Sequence, residues 1–341
     1  MTVRLAEMEE LSAWLGDQPR DPCQLHPPGE CDAEVVPLAG GGHLATSVDT
    51  VAEEIATGLY SDPETIGWIA AMNGLSDIAA VGADPLGVLM SVMWGPDWDA
   101  ADRAALGRGF GAALRVSGTC LLGGDTGNAP ATVVTTTALG RCEGPPMARS
   151  GARPGDLLCV TGTFGSGGAL AARWVLGENP EVFPERLFRP AARLREGVLL
   201  RPIASACTDT SDGLLQAVEI LTGVSGVGAA LEWNPDTLDA GAAAYFRARE
   251  LPLWLLWVAE ISEYELLVAL PEEAWLAARR AVPSLRRIGV LTDDRETSVT
   301  VDGREISLDL SGLGDLARAP AEERANVAIE LIAATRADGL P

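Results

Sequence analysis

Lysine is missing altogether: every one of the 25 basic residues in this 341-residue chain is arginine. That absence excludes a phosphate-loop lysine, the strand lysine of protein kinases and any Schiff-base lysine. Histidine is nearly as scarce, with His26 and His43 alone, so neither a histidine-based metal centre nor a catalytic triad is expected. Positive charge as a whole is short, because 48 acidic residues leave a formal net charge of −23 at pH 7. A polyanion repels nucleic acid and anionic membrane, and neither is expected as a partner. An anionic substrate would have to be bound through metal ions or local arginines. No apolar run approaches the ~20 residues of a membrane span. The N-terminus carries acids where a signal peptide needs bases, so the expectation is a soluble, cytoplasmic protein. The six cysteines (Cys23, Cys31, Cys120, Cys142, Cys159, Cys207) include no C-x-x-C pair and read as free thiols, not as a disulfide framework or zinc site. Aromatics amount to 5%, although nine are tryptophan.

Apolar residues make up 47% of the chain, and this length predicts two domains. The turn-rich stretch at 145–154 marks the boundary, giving units over 1–148 and 149–341. In the first unit, apolar spacing predicts a helix over 4–16. Two strands over 35–38 and 43–48 are joined by Gly40-Gly41-Gly42, a hairpin signal. An amphipathic helix is expected over 62–82, with Asp62 as its N-cap and Pro63 in its first turn. A strand over 86–93, a helix over 98–117 and strands over 119–122 and 132–140 follow. The second unit opens with a strand over 157–161. A glycine-rich segment over 162–168 then leads into a helix over 169–176. Helices over 190–203 and 212–221 and strands over 228–232, 264–270 and 287–291 complete the reading. The fold class is α/β (α+β).

Six aspartates stand at five separated stations: Asp32, Asp49, Asp77, Asp125, and the pair Asp209 and Asp212. Each follows a strand-like run or sits in a turn, where carboxylates from several elements can converge. Hard oxygen ligands suit Mg²⁺, bound through a few carboxylates, water and phosphate oxygens, so nucleotide phosphoryl transfer is the expected chemistry. Each station also has a plainer reading. Asp209 and Asp212 flank Ser211 before a helix and could be caps. Asp49 could cap a helix, and Asp125, after Gly123-Gly124, could belong to an ordinary turn. Asp77 is the most informative, because its neighbours Ile78-Ala79-Ala80-Val81 make an unpaired carboxylate costly. The segment 162–168 could cradle a phosphate but lacks a lysine, and a tight strand-to-helix turn explains it as well. Arg149 suits a phosphate contact, or is simply solvated. Glu260, Glu263 and Glu265 beside Tyr264 could hold a polar substrate or alternate along a strand edge.

Four stretches together carry a resemblance: Asn73-Gly-Leu-Ser-Asp-Ile-Ala-Ala-Val-Gly-Ala-Asp-Pro85, Gly123-Gly-Asp-Thr126, Arg149-Ser-Gly-Ala-Arg-Pro-Gly-Asp156 and Ser211-Asp-Gly-Leu214. They resemble the thiamine-monophosphate kinases, within the wider group of aminoimidazole-ribonucleotide-synthetase-like (PurM-like) ATP enzymes. The resemblance implies a two-domain fold whose N-terminal sheets pair into a barrel in a homodimer. It implies ATP and Mg²⁺, with a small-molecule phosphate acceptor. Asp32, Ser47, Asp49, Asp77, Asp125, Asp209 and Asp212 match the family's metal stations; Gly124, Asp125, Arg149 and Ser211 match its nucleotide contacts. Asp77 and Asp212 would be central to catalysis, and Glu263 is placed on the substrate. The chain departs from the pattern at Cys31, where a second carboxylate is usual, at Val48, at Ala56 and through 260–266. The aromatic C-terminal ending is also absent. The alternative is therefore a related ATP enzyme that phosphorylates or activates a different acceptor in specialised metabolism.

Overall fold

The computed structural model describes residues 18–307, except 259, 260, 262 and 302, together with Ala13. The helix expected over 4–16 lies, apart from Ala13, outside the described residues. The expected glycine hairpin is present: β1 (Glu34–Pro37) and β2 (His43–Thr50) pair antiparallel, with Pro37 opposite His43. After α1 (Ala52–Thr57) comes α2 (Pro63–Ala80), whose N-cap Asp62 accepts the Thr65 amide at 2.8 Å. This helix is not amphipathic as expected. It is buried on nearly every side, as a helix packed between two layers must be. Next come β3 (Asp84–Trp94), α3 (Ala100–Val116), β4 (Leu121–Asn128) and β5 (Val133–Cys142). A reciprocal capping box between Asp99 and Asp102 starts α3.

These strands form a five-stranded sheet in the order β1-β2-β5-β3-β4, antiparallel except for β3 beside β4. One face lies against α2: Thr136 Oγ1 donates to the Ala70 carbonyl at 2.9 Å, and a Cβ on Gly74 would meet the Ala138 Cβ at 3.1 Å. The other face is open and carries Val48, 68% exposed, with Leu89 and Met93. Glycine also sets the α2–α3 crossing. A Cβ on Gly67 would lie 2.0 Å from the Leu106 carbonyl oxygen, and one on Gly109 1.8 Å from that of Glu64.

The second half holds β6 (Leu157–Val160), α4 (Ser166–Val175), α5 (Leu194–Leu200), β7 (Ala206–Asp209), α6 (Leu214–Ser225) and β8 (Gly228–Glu232). It continues with α7 (Ala240–Arg247), α8 (Leu255–Val258), β9 (Leu266–Leu270), α9 (Trp275–Ala281), β10 (Arg286–Thr292), β11 (Thr297–Val301) and β12 (Arg304–Ser307). The helix expected over 190–203 shortens to α5, and the one expected from 212 starts two residues later. The seven strands order as β12-β11-β8-β10-β6-β9-β7. β9, Leu-Leu-Val-Ala-Leu, is buried on both faces. Its residues alternate between two cores: Leu266, Val268 and Leu270 join the core around α2, while Leu267 and Ala269 join the core under α6 and α7. Helix α2 thus lies between the two sheets and packs on both. Among the described residues no helix is long and apolar enough to cross a membrane.

Candidate metal and nucleotide site

Ser76 and Asp77 follow Asn73 by three and four residues on α2, so each neighbours it one turn along the helix, while the two of them point to different sides. Asp77 accepts a short hydrogen bond from Ser47 Oγ on β2 of the first sheet. Ser76 Oγ donates one to Asp209 Oδ2 at the end of β7 in the second, and Asn73 Oδ1 accepts the Tyr264 hydroxyl. One helix therefore reaches to both sheets, and carboxylates from three separate stations meet beside it. Oxygens of Asp32, Asp77 and Asp209 lie within 4.8 Å of one another.

Asp32 enters from the loop before β1, its side chain only 1% exposed. Arg149 Nη2 donates to its Oδ1 at 2.8 Å and Thr208 Oγ1 at 2.9 Å, while Oδ2 is buried without a hydrogen-bond partner among the described residues. Arg149 also donates to the Gly29 carbonyl at 3.2 Å. Its guanidinium, expected on a phosphate, is thus engaged in holding Asp32. Burial raises the Asp77 carboxyl well above the usual range, and the charges of Asp209, Asp49 and Asp32 add to that. Burial likewise pushes Asp209 up to about 7, with Asp32 the next cause, against the lowering effect of Ser76. Burial, with the crowding of like charges added to it, gives this pattern. A divalent cation would relieve the repulsion and satisfy the orphaned Asp32 oxygen.

The remaining stations divide. Asp49 stands on β2 two residues after Ser47, in the same inward-facing set, with Oδ1 accepting the Thr50 amide at 2.7 Å. Its charge acts on Asp77. Asp212 acts electrostatically on Asp209. The capping alternative for the 209–212 turn fails: Gly213 occupies the cap position of α6 with no side-chain cap bond, and Ser211 Oγ donates to Asp209 Oδ1 at 2.9 Å. Asp125 is not in a turn and does not join the trio. It lies within edge strand β4, in register with Ser91, Thr135 and Thr50, the row facing away from α2, and it is exposed. Gly124 is required for close approach, since its Cβ would sit 2.0 Å from the Met90 carbonyl oxygen.

Glu263, expected on the substrate, is turned inward. Its Oε1 accepts the amides of Gly165 and Gly167 at 2.8 and 2.7 Å, and Ser166 Oγ donates to Oε2 at 3.3 Å. An internal carboxylate therefore fills the glycine-rich segment's anion cradle at the start of α4, which answers the question of a phosphate there. Burial raises Glu263 to about 7 despite those amides. Cys31, in the place of a second carboxylate, is a thiol whose pKa burial and Asp32 push far up, donating to the Met147 carbonyl at 3.6 Å. Sequence reasoning missed Ser76, Thr208 and Glu54. Burial lifts Glu54 to about 7, with Asp49, Glu53 and Asp212 adding to the rise. Ser76 was legible only in its adjacency to Asp77; Thr208 gave no signal.

The profile of the AIR synthase related protein, N-terminal domain, matches residues 30–142, and that of the C-terminal domain matches 153–302. This chain belongs to the AIR synthase related family. Among its relatives, the thiamine-monophosphate kinase of Caulobacter vibrioides is 29% identical over 289 residues, 81% of each chain. That of Salmonella typhimurium is 31% identical over 235 residues, 67% of this chain and 71% of its own. The solved structure of tt0281 from Thermus thermophilus matches with a TM-score of 0.75 at 28% identity, over 85% of this chain and 95% of that one. AaThiL complexed with AMPPCP and TMP matches with a TM-score of 0.76 at 21% identity, over 90% and 95%, a likeness that bears on the fold alone. The two-sheet PurM-like fold of the AIR synthase related family is thus the fold of this chain.

Proposed function

We propose that this chain is an ATP-dependent kinase that phosphorylates thiamine monophosphate to thiamine diphosphate. The observation that carries the reading is the buried convergence of Asp32, Asp77 and Asp209 in a chain without lysine. Relatives near 30% identity that carry this activity support it. The donor set fits Mg²⁺: the oxygens are hard, and Asp32 Oδ2 is buried without a partner among the described residues. Asp32, Asp77 and Asp209 would hold the ion, with Asp49 and Asp212 close by. When bound, Mg²⁺ neutralises charge on the transferred phosphoryl group.

The chain's own residues set the geometry. Ser47 and Ser76 orient the carboxylates of Asp77 and Asp209, and Arg149 with Thr208 fixes Asp32. Ser211, Gly124 and Asp125 are assigned to the nucleotide. A phosphate oxygen of the acceptor forms a bond to the γ-phosphorus as the bond to the β–γ bridging oxygen breaks, and ADP leaves. Catalysis is by positioning and charge, with no covalent enzyme intermediate. Because Asp125 lies on the open face of the first sheet, its part requires that face to be completed by a second copy of the chain. A homodimer belongs to this reading, as does a division into units over 1–148 and 149–341.

A second reading keeps ATP and changes the acceptor; it is favoured by the inward turn of Glu263. ³¹P NMR with Mg-ATP and thiamine monophosphate separates the two. ADP and thiamine diphosphate should both appear. ADP formation that needs some other acceptor would favour the second reading, and no ATP consumption with any acceptor would sink both.

A further inference from the structure

Three non-glycine residues among those described have a left-handed backbone: Glu250, Tyr264 and Arg295. Glu250 and Arg295 lie at the surface, whereas Tyr264, at φ +53°, is wholly buried. A bulky residue in that region is strained, and it persists only where its surroundings over-determine it. Both of its neighbours are pinned. Glu263 is held by the Gly165 and Gly167 amides. Glu265 accepts from Arg193 Nε at 2.8 Å and from Thr161 Oγ1 at 2.6 Å, and its carbonyl accepts the Thr210 amide at 2.9 Å. Held in this way, the Tyr264 phenol reaches Asn73 of α2, whose Oδ1 accepts its hydroxyl.

That bond joins two layers at the level of the carboxylates. Asn73 lies one turn before Asp77 on α2. Leu266, two residues after Tyr264, pairs with Asp209 across β9 and β7. Asp77 thus belongs to the helix and Asp209 to the second sheet, so their separation follows the separation of the two layers. When ionised, the two carboxylates repel and push the layers apart. Two side-chain bonds oppose this: Ser76 to Asp209 and Tyr264 to Asn73. The first occupies an oxygen of Asp209 itself; the second ends on Asn73. A metal site tolerates errors of only ~0.2 Å in its ligand distances, so a tie between the layers bears directly on the ion.

We infer that Tyr264 is a positioning residue, whose phenol sets the spacing of Asp77 from Asp209 and thereby the affinity of the carboxylate trio for a divalent cation. The inference rests on the metal site of the proposed kinase and deepens it. Tyr264→Phe keeps the ring and loses the tie, but it also strips a buried Asn73 oxygen of that donor. Adding Asn73→Leu removes the oxygen, so stability in urea should return while the tie stays absent. Mn²⁺ suits the same oxygen ligands, and electron paramagnetic resonance of the free ion follows its binding without turnover. The Mn²⁺ dissociation constant should rise about tenfold in Tyr264→Phe and stay raised in the double variant, as when a group that orients metal ligands is removed. In kinase assays the Mg²⁺ concentration for half-maximal rate should rise with it, while kcat at saturating Mg²⁺ is largely kept. Mn²⁺ affinity that returned with stability in the double variant would overturn the inference, by making the tie merely structural. Unchanged affinity in both variants would overturn it as well, and no Mn²⁺ binding by the unaltered chain would remove the metal site and this inference together. A chain that binds Mn²⁺ as expected yet leaves thiamine monophosphate untouched would sink the kinase reading and leave Tyr264 its role.

Discussion

At the scale of single residues, the decisive fact is that carboxylates distant in sequence are brought together in one buried cluster, with Arg149 on Asp32. Asp77→Asn removes one charge from that cluster while keeping an acceptor for Ser47. Turnover should fall by ~10²-fold or more, the usual loss when a group stabilising transition-state charge is removed. Thermal stability without added metal should stay level or rise, because a repulsion has gone. Near-normal turnover in this variant would remove Asp77 from the site. Glu263 makes a different prediction. Its folded-state pKa is raised to about 7, so between ~4.5 and ~7 the folded chain holds a proton that the unfolded chain releases. This group's contribution to stability is then favourable at low pH and lost as pH rises through that window, by on the order of 3 kcal/mol. Glu263→Gln keeps an oxygen for the Gly165 and Gly167 amides and cannot ionise. Urea titrations across pH 4–8 should show a flatter profile for the variant; parallel profiles would refute the assignment.

Among the elements, α2 and α3 meet through glycines, and magnitudes decide what a methyl group does at each. In an exposed helix position, glycine to alanine stabilises by up to about 1 kcal/mol. A Cβ forced against backbone costs ~1–3 kcal/mol and wins wherever neither helix can retreat. Gly67→Ala should therefore destabilise, while Gly107→Ala, with nothing within 4 Å of its Cβ, should stabilise. Equal effects of the two changes in urea unfolding would contradict this crossing. Elements were legible in the sequence where local chemistry fixed them. Asp62-Pro63 announced the start of α2, and Gly40–Gly42 announced the hairpin. Asp125 was misplaced because Gly123-Gly124 signals a turn, whereas here the glycines let β4 lie close to β3. Glu263 was misread because its partners are amides nearly a hundred residues earlier in the chain, which no local pattern reveals. The aspartate stations could be found, since each sits in a recognisable motif. Which of them actually meet depends on sheet register, and that lies beyond local sequence.

For the whole molecule, the proposed homodimer would use the open face of the first sheet. Val48, Leu89 and Met93 stand on it in a chain whose acidity otherwise favours solvation, and apolar residues gathered on one exposed sheet face mark an association surface. Light scattering should give twice the 35.6 kDa chain mass, and Leu89→Asp should reduce it to one chain with a loss of turnover. A wild-type mass of one chain would contradict the homodimer.

The position of α2 also bears on how the chain is made. Asn73 waits for Tyr264, 191 residues later, and Ser76 for Asp209, 133 residues later. At ribosomal rates of ~5–20 residues per second, that leaves an apolar helix without its second layer for ~10–40 s. The newborn chain therefore passes through a period of exposed apolar surface set by its own connectivity. Its yield in a cell should depend on chaperone supply, most acutely when elongation is slow.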